Sequence, residues 1–314
     1  MLRFELKLNN GEIRRDTRVL SAVWKSELDV PADSVSLGCV YDREIFENAR
    51  SLSAYNGGEL VFEGQIDELS RYRGETGTVL KISARSAAAV LLDNEAEPLS
   101  YRNPTSSLMF RKHLEPLGFT DVEYDQVPII GIFRIDKGMS QWQALEQFCK
   151  VRYGSKLRVS GSGKVYLRGF RNDKKVRFGS GGIEYYSFEE NNRRYKLISE
   201  IKLKVSGTAG YLSRMENPNP GCQGIKRVRY VNAFAENNSI STADSIIERG
   251  NLESHCVKLI IKGCAPDILG AKAEVNDPDF GNIGDLTVRK IHYTFSKKGE
   301  FTTVVLGAAD REER

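Results

Sequence analysis

The sequence predicts a mainly β fold, with a smaller α+β unit between two β-rich regions. Apolar and polar residues alternate through much of the chain, which is typical of strands that bury one face. Two long stretches each combine a strand, a glycine-containing turn and a return strand, while helical spacing is concentrated in residues 101–176. The 314 residues are enough for two or three domains.

The first β-rich region begins at the N-terminus, where "LRFELKLNNG" alternates and then turns. "SVSLGCVYD" predicts a further strand, and residues 59–85 predict two long strands joined through Gly74 to Gly77. The two glycines supply the positive φ that tight turns require. "SAAAVLLDNEAEP" then leaves this region as a short helix or an extended segment that ends at Pro98.

The α+β unit follows, with two predicted helices. Pro104 and Thr105 open the first helix, whose apolar stripe at helical spacing consists of Phe110, His113, Leu114 and Leu117. The segment "VEY" that comes next predicts a short strand. The second helix begins at Ser140, because Ser140 and Gln143 have the spacing of a capping box. The apolar stripe of this helix consists of Trp142, Leu145, Phe148 and Cys149.

The stretch "LRVSGSGKVYLRGF", residues 157–170, contains a Gly-Ser-Gly-Lys turn that is similar in composition to a phosphate-binding loop. Such a loop needs a glycine five residues before its second glycine, a hydroxyl after the lysine, and a following helix. Here Arg158 and Val165 occupy the first two positions, and an alternating strand follows. We therefore predict a β-hairpin. Its two faces consist of Leu157, Val159, Val165 and Leu167, and of Lys156, Arg158, Tyr166 and Arg168.

Strand character returns after Gly182. "YKLISEIKLKVSG", "IKRVRYVNAF" and "VKLIIKG" predict strands, and a helix is predicted near Ser241, where Asp244 favours the N-terminal dipole. The chain ends in a second long hairpin that turns at Lys298-Gly299. This hairpin and residues 64–84 share a glycine start, a basic turn and a Thr-Val-rich return strand, which we interpret as a weak internal repeat.

Composition argues against several protein classes. The 46 basic and 42 acidic residues leave a net charge of +4, so no concentrated positive charge indicates sequence-specific nucleic-acid binding. The five cysteines include no CxxC pair, which disfavours a disulfide framework or a zinc site. We expect no signal peptide and no membrane span, because no apolar run has the required length or position.

We predict no catalytic, cofactor-binding or metal-binding residues, and we expect that the protein is not an enzyme. The three histidines, His113, His255 and His292, lack the spacing of metal ligands. His255 and Cys256 are neighbours on a predicted strand and point to opposite faces, so we do not expect a catalytic dyad. "NDPDFGN", which begins at residue 276, lacks the pattern of a calcium loop and predicts a polar turn.

Several of these segments, in this order, resemble the phage tail baseplate hub family, which includes the late-control D proteins and the Mu-like hub proteins. The first segment is "GGELVFEGQIDELSRYRGETGTVLKISARSAAAVLLDNEAEP". The second is "VPIIGIFRIDKGMSQWQALEQFCKVRYGSKLRVSGSGKVYLRG", which combines a strand, a capped helix and a hairpin. The third is "YKLISEIKLKVSG", which is similar to the family's strand that re-enters the tube domain.

The resemblance implies a homotrimeric structural hub at the distal end of the tail tube of a phage, prophage or contractile tail-like injection particle. Each chain is expected to contribute two β-barrel, tube-forming domains, so that three chains form a pseudo-hexameric ring that joins the tail tube to the spike. The implied domains are a first barrel at residues 1–98, an inserted α+β domain with two helices and a hairpin at 99–178, and a second barrel at 179–314, which could share strands with the first.

The expected partners follow from this position. They are further copies of the chain, the tail tube protein, the spike protein, other baseplate proteins and a tape-measure protein. The expected location is the baseplate of a virion or tail-like particle that is assembled in the bacterial host cytoplasm. No cofactor is expected.

Two alternative interpretations stay open. A pair of acidic residues could serve a hydrolase that acts on cell-wall glycans. Tyr185, Tyr186 and Phe188 could stack on sugars in a carbohydrate-binding, tail-associated protein, although aromatic strands more often face a core or a subunit interface.

Overall fold

The structure, a computed structural model, describes residues 2–15, 17–75, 77–204, 209–232 and 239–309, with the backbone alone at 239–242. Strands account for 48% and helices for 20%, so the predicted mainly β fold with a small helical part is confirmed. The chain folds into two compact units. Unit 1 comprises Met1–Lys174, Ile261–Ala271 and Arg289–Val304, and unit 2 comprises Lys175–Ile260, Lys272–Val288 and Val305–Arg314.

The elements are numbered in chain order. The strands before residue 170 are β1 (Arg3–Leu8), β2 (Ile13–Arg14), β3 (Val19–Glu27), β4 (Ser34–Val40), β5 (Ala49–Asn56), β6 (Glu59–Gly74), β7 (Gly77–Ser86), β8 (Leu99–Arg102), β9 (Ile132–Ile135), β10 (Arg158–Val159) and β11 (Val165–Tyr166). The later strands are β12 (Lys175–Gly179), β13 (Ser187–Asn192), β14 (Glu200–Lys204), β15 (Ser213–Glu216), β16 (Val228–Asn232), β17 (His255–Lys262), β18 (Lys272–Asp277), β19 (Gly281–Ser296) and β20 (Gly299–Ala308). The α-helices are α1 (Arg43–Asn48), α2 (Ala88–Asp93), α3 (Ser106–Met109), α4 (Gln141–Tyr153) and α5 (Ser239–Ser254).

The main sheet of unit 1 contains antiparallel strands in the order β19-β3-β4-β7-β6-β5-β1-β2. Its strands form where the sequence alternates. In β7, for example, Leu80, Ile82 and Ala84 are buried, while the residues between them are more exposed. Both predicted long hairpins are present, and Gly77 and Gly299 at their turns have φ values of 128° and 106°. These left-handed values explain why each turn contains glycine.

The helical part of unit 1 forms where helical spacing predicted it. Thr105 caps α3, which continues as a π-helical turn (Phe110–Leu114) and a 3₁₀ turn (Glu115–Leu117). The capping box of α4 is confirmed, because the Ser140 hydroxyl accepts from the Gln143 amide at 3.2 Å and the Gln143 side chain accepts from the Ser140 amide at 2.8 Å. The predicted stripe of α4 is buried in the core that the helices share with the β10–β11 hairpin.

The prediction of a strand at "VEY" is wrong. Val122 makes only a single bridge to Val165, whose amide donates to the Asp121 carbonyl at 2.9 Å. The segment leaves this pairing because Tyr124 turns away to stack on Phe110, with ring centroids 4.8 Å apart. An aromatic contact of this kind outweighs the weak strand preference of three residues.

In unit 2, β12 pairs in parallel with β18, β18 pairs antiparallel with β19, and β13 pairs antiparallel with β17. A separate sheet has the order β15-β14-β16. Its buried face packs against α5, and the cluster consists of Ile198, Ile201, Leu203, Ala243 and Ile247. Helix α5 begins at Ser239, close to the predicted start, whereas Val205 of the predicted "YKLISEIKLKVSG" strand lies outside the described residues.

None of the helices that the structure describes combines the length and the apolar composition that crossing a membrane requires. The domain boundaries at residues 98 and 178 stay a prediction.

Candidate functional site

The Gly-Ser-Gly-Lys stretch is the turn of a hairpin. Strands β10 and β11 pair antiparallel, with Arg158 opposite Tyr166 and Val159 opposite Val165. The Ser160 amide donates to the Lys164 carbonyl at 2.8 Å, which closes the turn. Lys164 faces the carboxylates of Asp121 and Glu123 at 3.9 and 3.8 Å, a surrounding that disfavours phosphate. The hairpin interpretation is therefore confirmed.

Gly161 places this turn directly against β6. Its carbonyl accepts from the Glu63 amide at 2.7 Å. A Cβ at this position would overlap the Val61 carbonyl oxygen and would lie 2.8 Å from a carboxylate oxygen of Asp33. Glycine is thus required here for the close approach of two backbones rather than for ligand binding.

Arg158 anchors the base of the same hairpin. The sequence placed it on the polar face of the hairpin, but its side chain is only 5% exposed and lies 2.9 Å from the equally buried Asp33 carboxylate. The guanidinium also donates to the Glu27 and Val30 carbonyls at 2.6 and 2.9 Å. Ser26 donates to the second oxygen of Asp33 at 2.7 Å. Both terminal nitrogens of Arg158 and both carboxylate oxygens of Asp33 therefore have partners, as burial of charge requires.

Burial raises the pKa of the Asp33 carboxyl, while the charge of Arg158 and the Ser26 hydrogen bond oppose this shift. Arginine keeps its proton at any pH at which the protein is folded. The charge of Asp33 in this site therefore depends on Arg158.

The β3–β4 connection, residues 27–33, is held from a second side by β19. Arg289 donates to both carboxylate oxygens of Asp29 at 2.7 Å. Lys290 and His292 contact the two oxygens of Glu27 at 2.6 and 2.8 Å. The hydrogen bond with His292, together with Lys290, lowers the pKa of Glu27 to about 2 against the opposing effect of burial. We call residues 27–33 with these contacts the 27–33 clasp.

The remaining histidines are also in packing contacts. His113, in its helix stripe, contacts the Tyr101 hydroxyl at 3.1 Å and the Gln141 side-chain oxygen at 2.7 Å, and burial lowers the pKa of its ring. His255 lies 2.7 Å from Glu190 across the β13–β17 pair. Each ring thus has a structural partner on a neighbouring element.

Burial disfavours the reactive thiolate form of Cys39, Cys149, Cys222 and Cys264. Burial raises the pKa of Cys39 and of Cys264 to about 12, and it raises the pKa of Cys149 as well. A thiol with a raised pKa supplies little thiolate for nucleophilic attack or metal binding. Among the described residues, no group of three or more His, Cys, Asp or Glu side chains is arranged to hold a metal ion.

Two motifs that the sequence analysis treated separately come together in unit 2. Phe188 stacks on Phe280 of the "NDPDFGN" turn, with ring centroids 5.0 Å apart and planes within 14°. The Tyr185 hydroxyl donates to Asp277, whose other oxygen accepts from the amides of Asp279 and Phe280. The predicted polar turn is confirmed, and the Asp277 carboxylate organises it.

Phe280 was missed by the sequence analysis. It is 65% exposed, and no periodicity marks it, because it stands in a turn. Its position within the "NDPDFGN" motif was the available signal. Tyr186 beside this pair is 67% exposed.

A second exposed surface lies in the helical part of unit 1 and was also missed. Val127, Ile130 and Ile132 are 55%, 86% and 75% exposed, and we call this segment the 127–132 loop. The loop is fixed in place, because Gly131 exchanges two hydrogen bonds of 2.8 Å with Asn103. Apolar side chains that are held rigidly in solvent are typical of a contact surface for another protein.

The sequence matches no family model and no curated protein. The fold, in contrast, is similar to solved phage tail proteins over almost the full length of both chains. The tail protein from Neisseria meningitidis MC58 has a TM-score of 0.74 at 16% identity, covering 98% of this chain and 96% of that chain. The 43 kDa tail protein of prophage MuSo2 from Shewanella oneidensis has a TM-score of 0.73 at 16% identity, with 98% of both chains covered.

The fold is also similar to that of a secretion-system component. The E. coli c3393 protein, described as a component of the type VI secretion system with structural similarity to the T4 tail proteins gp27 and gp5, has a TM-score of 0.57 at 9% identity. The match covers 98% of this chain and 77% of that chain. At these identities the comparisons show the fold, and the fold that the baseplate hub resemblance predicted is confirmed.

Removing one partner of the buried ion pair should destabilise the protein strongly. Replacing Asp33 with Asn leaves the buried Arg158 charge without its counter-ion, and we expect the free energy of unfolding to fall by about 3 kcal/mol. Lys164→Ala is the matched control, because it removes a partly exposed lysine with long ion pairs and should change this free energy by less than about 0.5 kcal/mol. Urea denaturation of the full chain measures both. Equal effects of the two variants would contradict the assigned role of Arg158.

The Gly161 contact with β6 gives a second test. Gly161→Ala should lower the free energy of unfolding by about 2 kcal/mol, because the added methyl overlaps the Val61 carbonyl. Gly284→Ala is the control, since a Cβ at Gly284 meets no atom within 4 Å and its φ is not in the left-handed region. A neutral Gly161→Ala variant would show that the turn is not docked on β6.

The 27–33 clasp should make the stability of the protein fall at low pH. Glu27 has a folded pKa of about 2 and an ordinary value of 4.5, so its stabilising effect is complete above pH 4.5 and is lost as the pH falls towards 2. The difference in thermal midpoint between wild type and Glu27→Gln should therefore be constant near neutral pH and shrink below pH 4.5. Glu59→Gln, at an exposed strand end, is the control. A difference that stays constant down to pH 3 would count against the depressed pKa.

Proposed function

We propose that this chain is a structural hub protein of a phage, prophage or contractile tail-like injection particle, located at the distal end of the tail tube. The observation that carries the proposal is the match of the whole chain, from end to end, to the fold of tail proteins. A domain shared by unrelated proteins would match only part of each chain, whereas here both lengths agree.

The finer proposal is a homotrimeric, pseudo-hexameric ring that joins the tail tube to the spike. Two tube-forming β-barrel domains per chain, with boundaries near residues 98 and 178, would let three chains present six similar barrels. The pairing of β19 with β3 in unit 1 supports strand sharing between the first and last parts of the chain. The proposed partners are further copies, the tube and spike proteins, other baseplate proteins and a tape-measure protein.

The contacts of the chemically active side chains support a non-enzymatic role. The three histidines have structural partners, and four of the five thiols have a raised pKa. The 127–132 loop, in contrast, exposes apolar side chains to solvent. Such surfaces suit assembly, in which burial of interface area drives association.

A second candidate function is carbohydrate binding at the exposed Phe280 ring. The favouring observation is that Phe280, stacked on Phe188, and Tyr186, two residues before Phe188, are both largely exposed. A glycan array distinguishes this candidate, because it predicts binding that Phe280→Ala abolishes.

The hub proposal predicts where the chain lies in its particle. Electron microscopy of particles that carry a tagged chain should show one threefold-symmetric ring at the distal end of the tube. A tag found elsewhere on the particle, or particles that lack the chain, would refute the proposal.

The 127–132 loop should take part in assembly. The double variant Ile130→Glu with Ile132→Glu should fold normally, because both side chains are exposed, but should be incorporated into particles about tenfold less than wild type. Ile13→Glu, at an exposed position of β2, is the control for the added charge. Equal incorporation of all three proteins would exclude this loop as a contact surface.

A further inference from the structure

The two long hairpins of unit 1 end on the same side of its sheet. Strands β19, β3, β4, β7 and β6 pair antiparallel in this order, so β19 and β6 run in the same direction. The turn after β6 and the turn after β19 therefore lie at one end of the sheet. Two strands separate β7 from β19, which offsets the turns by roughly 14 Å across the sheet. We call this end, with both turns and the start of β3, the tip end.

Positive charge collects at the tip end. Its exposed basic residues are Arg18, Arg71, Arg73, Lys297 and Lys298. The strand register places Arg18 at the tip end. Val40, at the end of β4, pairs with Val79 of β7, and the Val40 amide donates to the Arg18 carbonyl at 3.0 Å. Acidic residues nearby are few or already engaged. Glu75 is exposed, and Glu300 accepts from the Tyr293 hydroxyl at 2.9 Å. In helix α1, which contacts Arg71 through Phe46, Asp42 caps the helix and Glu47 accepts from Arg43. Within the part of the chain that the structure describes, none of the five basic side chains forms an ion pair.

Arg71 and Arg73 line a pocket at this end. Because they are two residues apart on β6, they point to the same face, and Tyr41 and Thr78 complete the lining of a cavity of about 340 Å³. Arg71 is held in position, since its guanidinium lies 4.9 Å from the centre of the Phe46 ring and donates to the Tyr41 hydroxyl at 3.3 Å. The pocket thus combines two cations with two hydroxyls.

This combination suits a carboxylate. Guanidinium groups bind carboxylates through paired hydrogen bonds, and hydroxyls supply further donors. The pocket also contains the ring of Tyr41, and Tyr and Arg are the residue types enriched at protein interfaces. A nucleic-acid backbone would instead need a continuous basic track that neutralises many phosphates, whereas the chain carries a net charge of only +4.

We infer that the tip end of unit 1 is the docking surface for an acidic surface of another protein, with an Asp or Glu side chain of that partner in the Arg71–Arg73 pocket. The identity of the partner as a further tail protein rests on the proposed function. The preference of the pocket for a carboxylate does not rest on the proposed function, because it follows from the charges and the strand register of this chain.

The pocket is tested first with a defined probe. A fluorescent poly-glutamate peptide should bind the full chain in low salt, and the affinity should fall as salt is added. The charge-reversal variant Arg71→Glu with Arg73→Glu should weaken binding at least about tenfold. The matched control is Lys7→Glu with Lys25→Glu, which makes the same change in net charge at exposed positions of β1 and β3 away from the tip end. This control should bind like wild type.

Three outcomes would overturn the inference. They are no binding of the peptide by wild type, equal weakening by the two double variants, and tighter binding of double-stranded DNA with the same loss in Arg71→Glu with Arg73→Glu. Thermal unfolding of each variant shows whether it is folded. If Arg71→Glu with Arg73→Glu does not fold, Arg73→Gln, which removes one exposed charge, takes its place.

The native partner is tested by cross-linking in the particle. Tyr41→p-azidophenylalanine places a photoreactive ring in the pocket, and mass spectrometry of the cross-linked peptide should identify a segment rich in Asp or Glu from another protein. Cross-links to DNA, to apolar segments, or only within the same chain would contradict the inference. If the chain is found in the particle but Tyr41 gives no acidic cross-link, the docking inference fails while the proposed function stands.

Discussion

The ion pair between Arg158 and Asp33 is the interaction on which the rest of unit 1 depends. It joins the β10–β11 hairpin to the β3–β4 connection, and the same guanidinium fixes two carbonyls of the 27–33 clasp. With Asp33 held here, Gly161 can approach β6, and β19 can hold the other side of the clasp through Arg289. A buried pair of this kind adds little net stability over apolar packing, but it tolerates only one arrangement of its partners. We infer that its effect is to fix where the hairpin meets the sheet.

Local features of the fold were predictable because their causes are local. A capping box needs two residues three apart, and a hairpin needs an alternating pattern with glycine between its strands, so α4 and both long hairpins could be recognised. The role of Arg158 could not, because Asp33 is 125 residues away in the sequence. In sequence, Arg158 is indistinguishable from Lys156 and Arg168 on the same face of the hairpin. The wrong strand at "VEY" has a similar cause, since Phe110, which Tyr124 contacts, lies on another element.

The candidate surfaces depend even more on tertiary structure. Exposure of Ile130 and Ile132 is a property of the folded unit, whereas isoleucine as a residue type is usually buried. The tip end requires the order and direction of five strands before Arg18, Arg71 and Lys298 can be placed together. Only the individual hairpins, with their basic turns, could be read from the sequence.

The two ends of the unit 1 sheet differ in how their charged side chains are paired. At the clasp, acidic and basic side chains neutralise one another in partly or fully buried pairs, so these charges have their counter-ions within the chain. At the tip end, the basic side chains lack acidic partners within the described chain, and Arg71 is nevertheless held in place by Phe46 and Tyr41. Unpaired charges repel one another and weaken the isolated chain slightly. This cost is offset when a partner supplies acidic groups. The difference in charge pairing between the two ends therefore favours a protein whose tip-end charges are neutralised by a partner in an assembly.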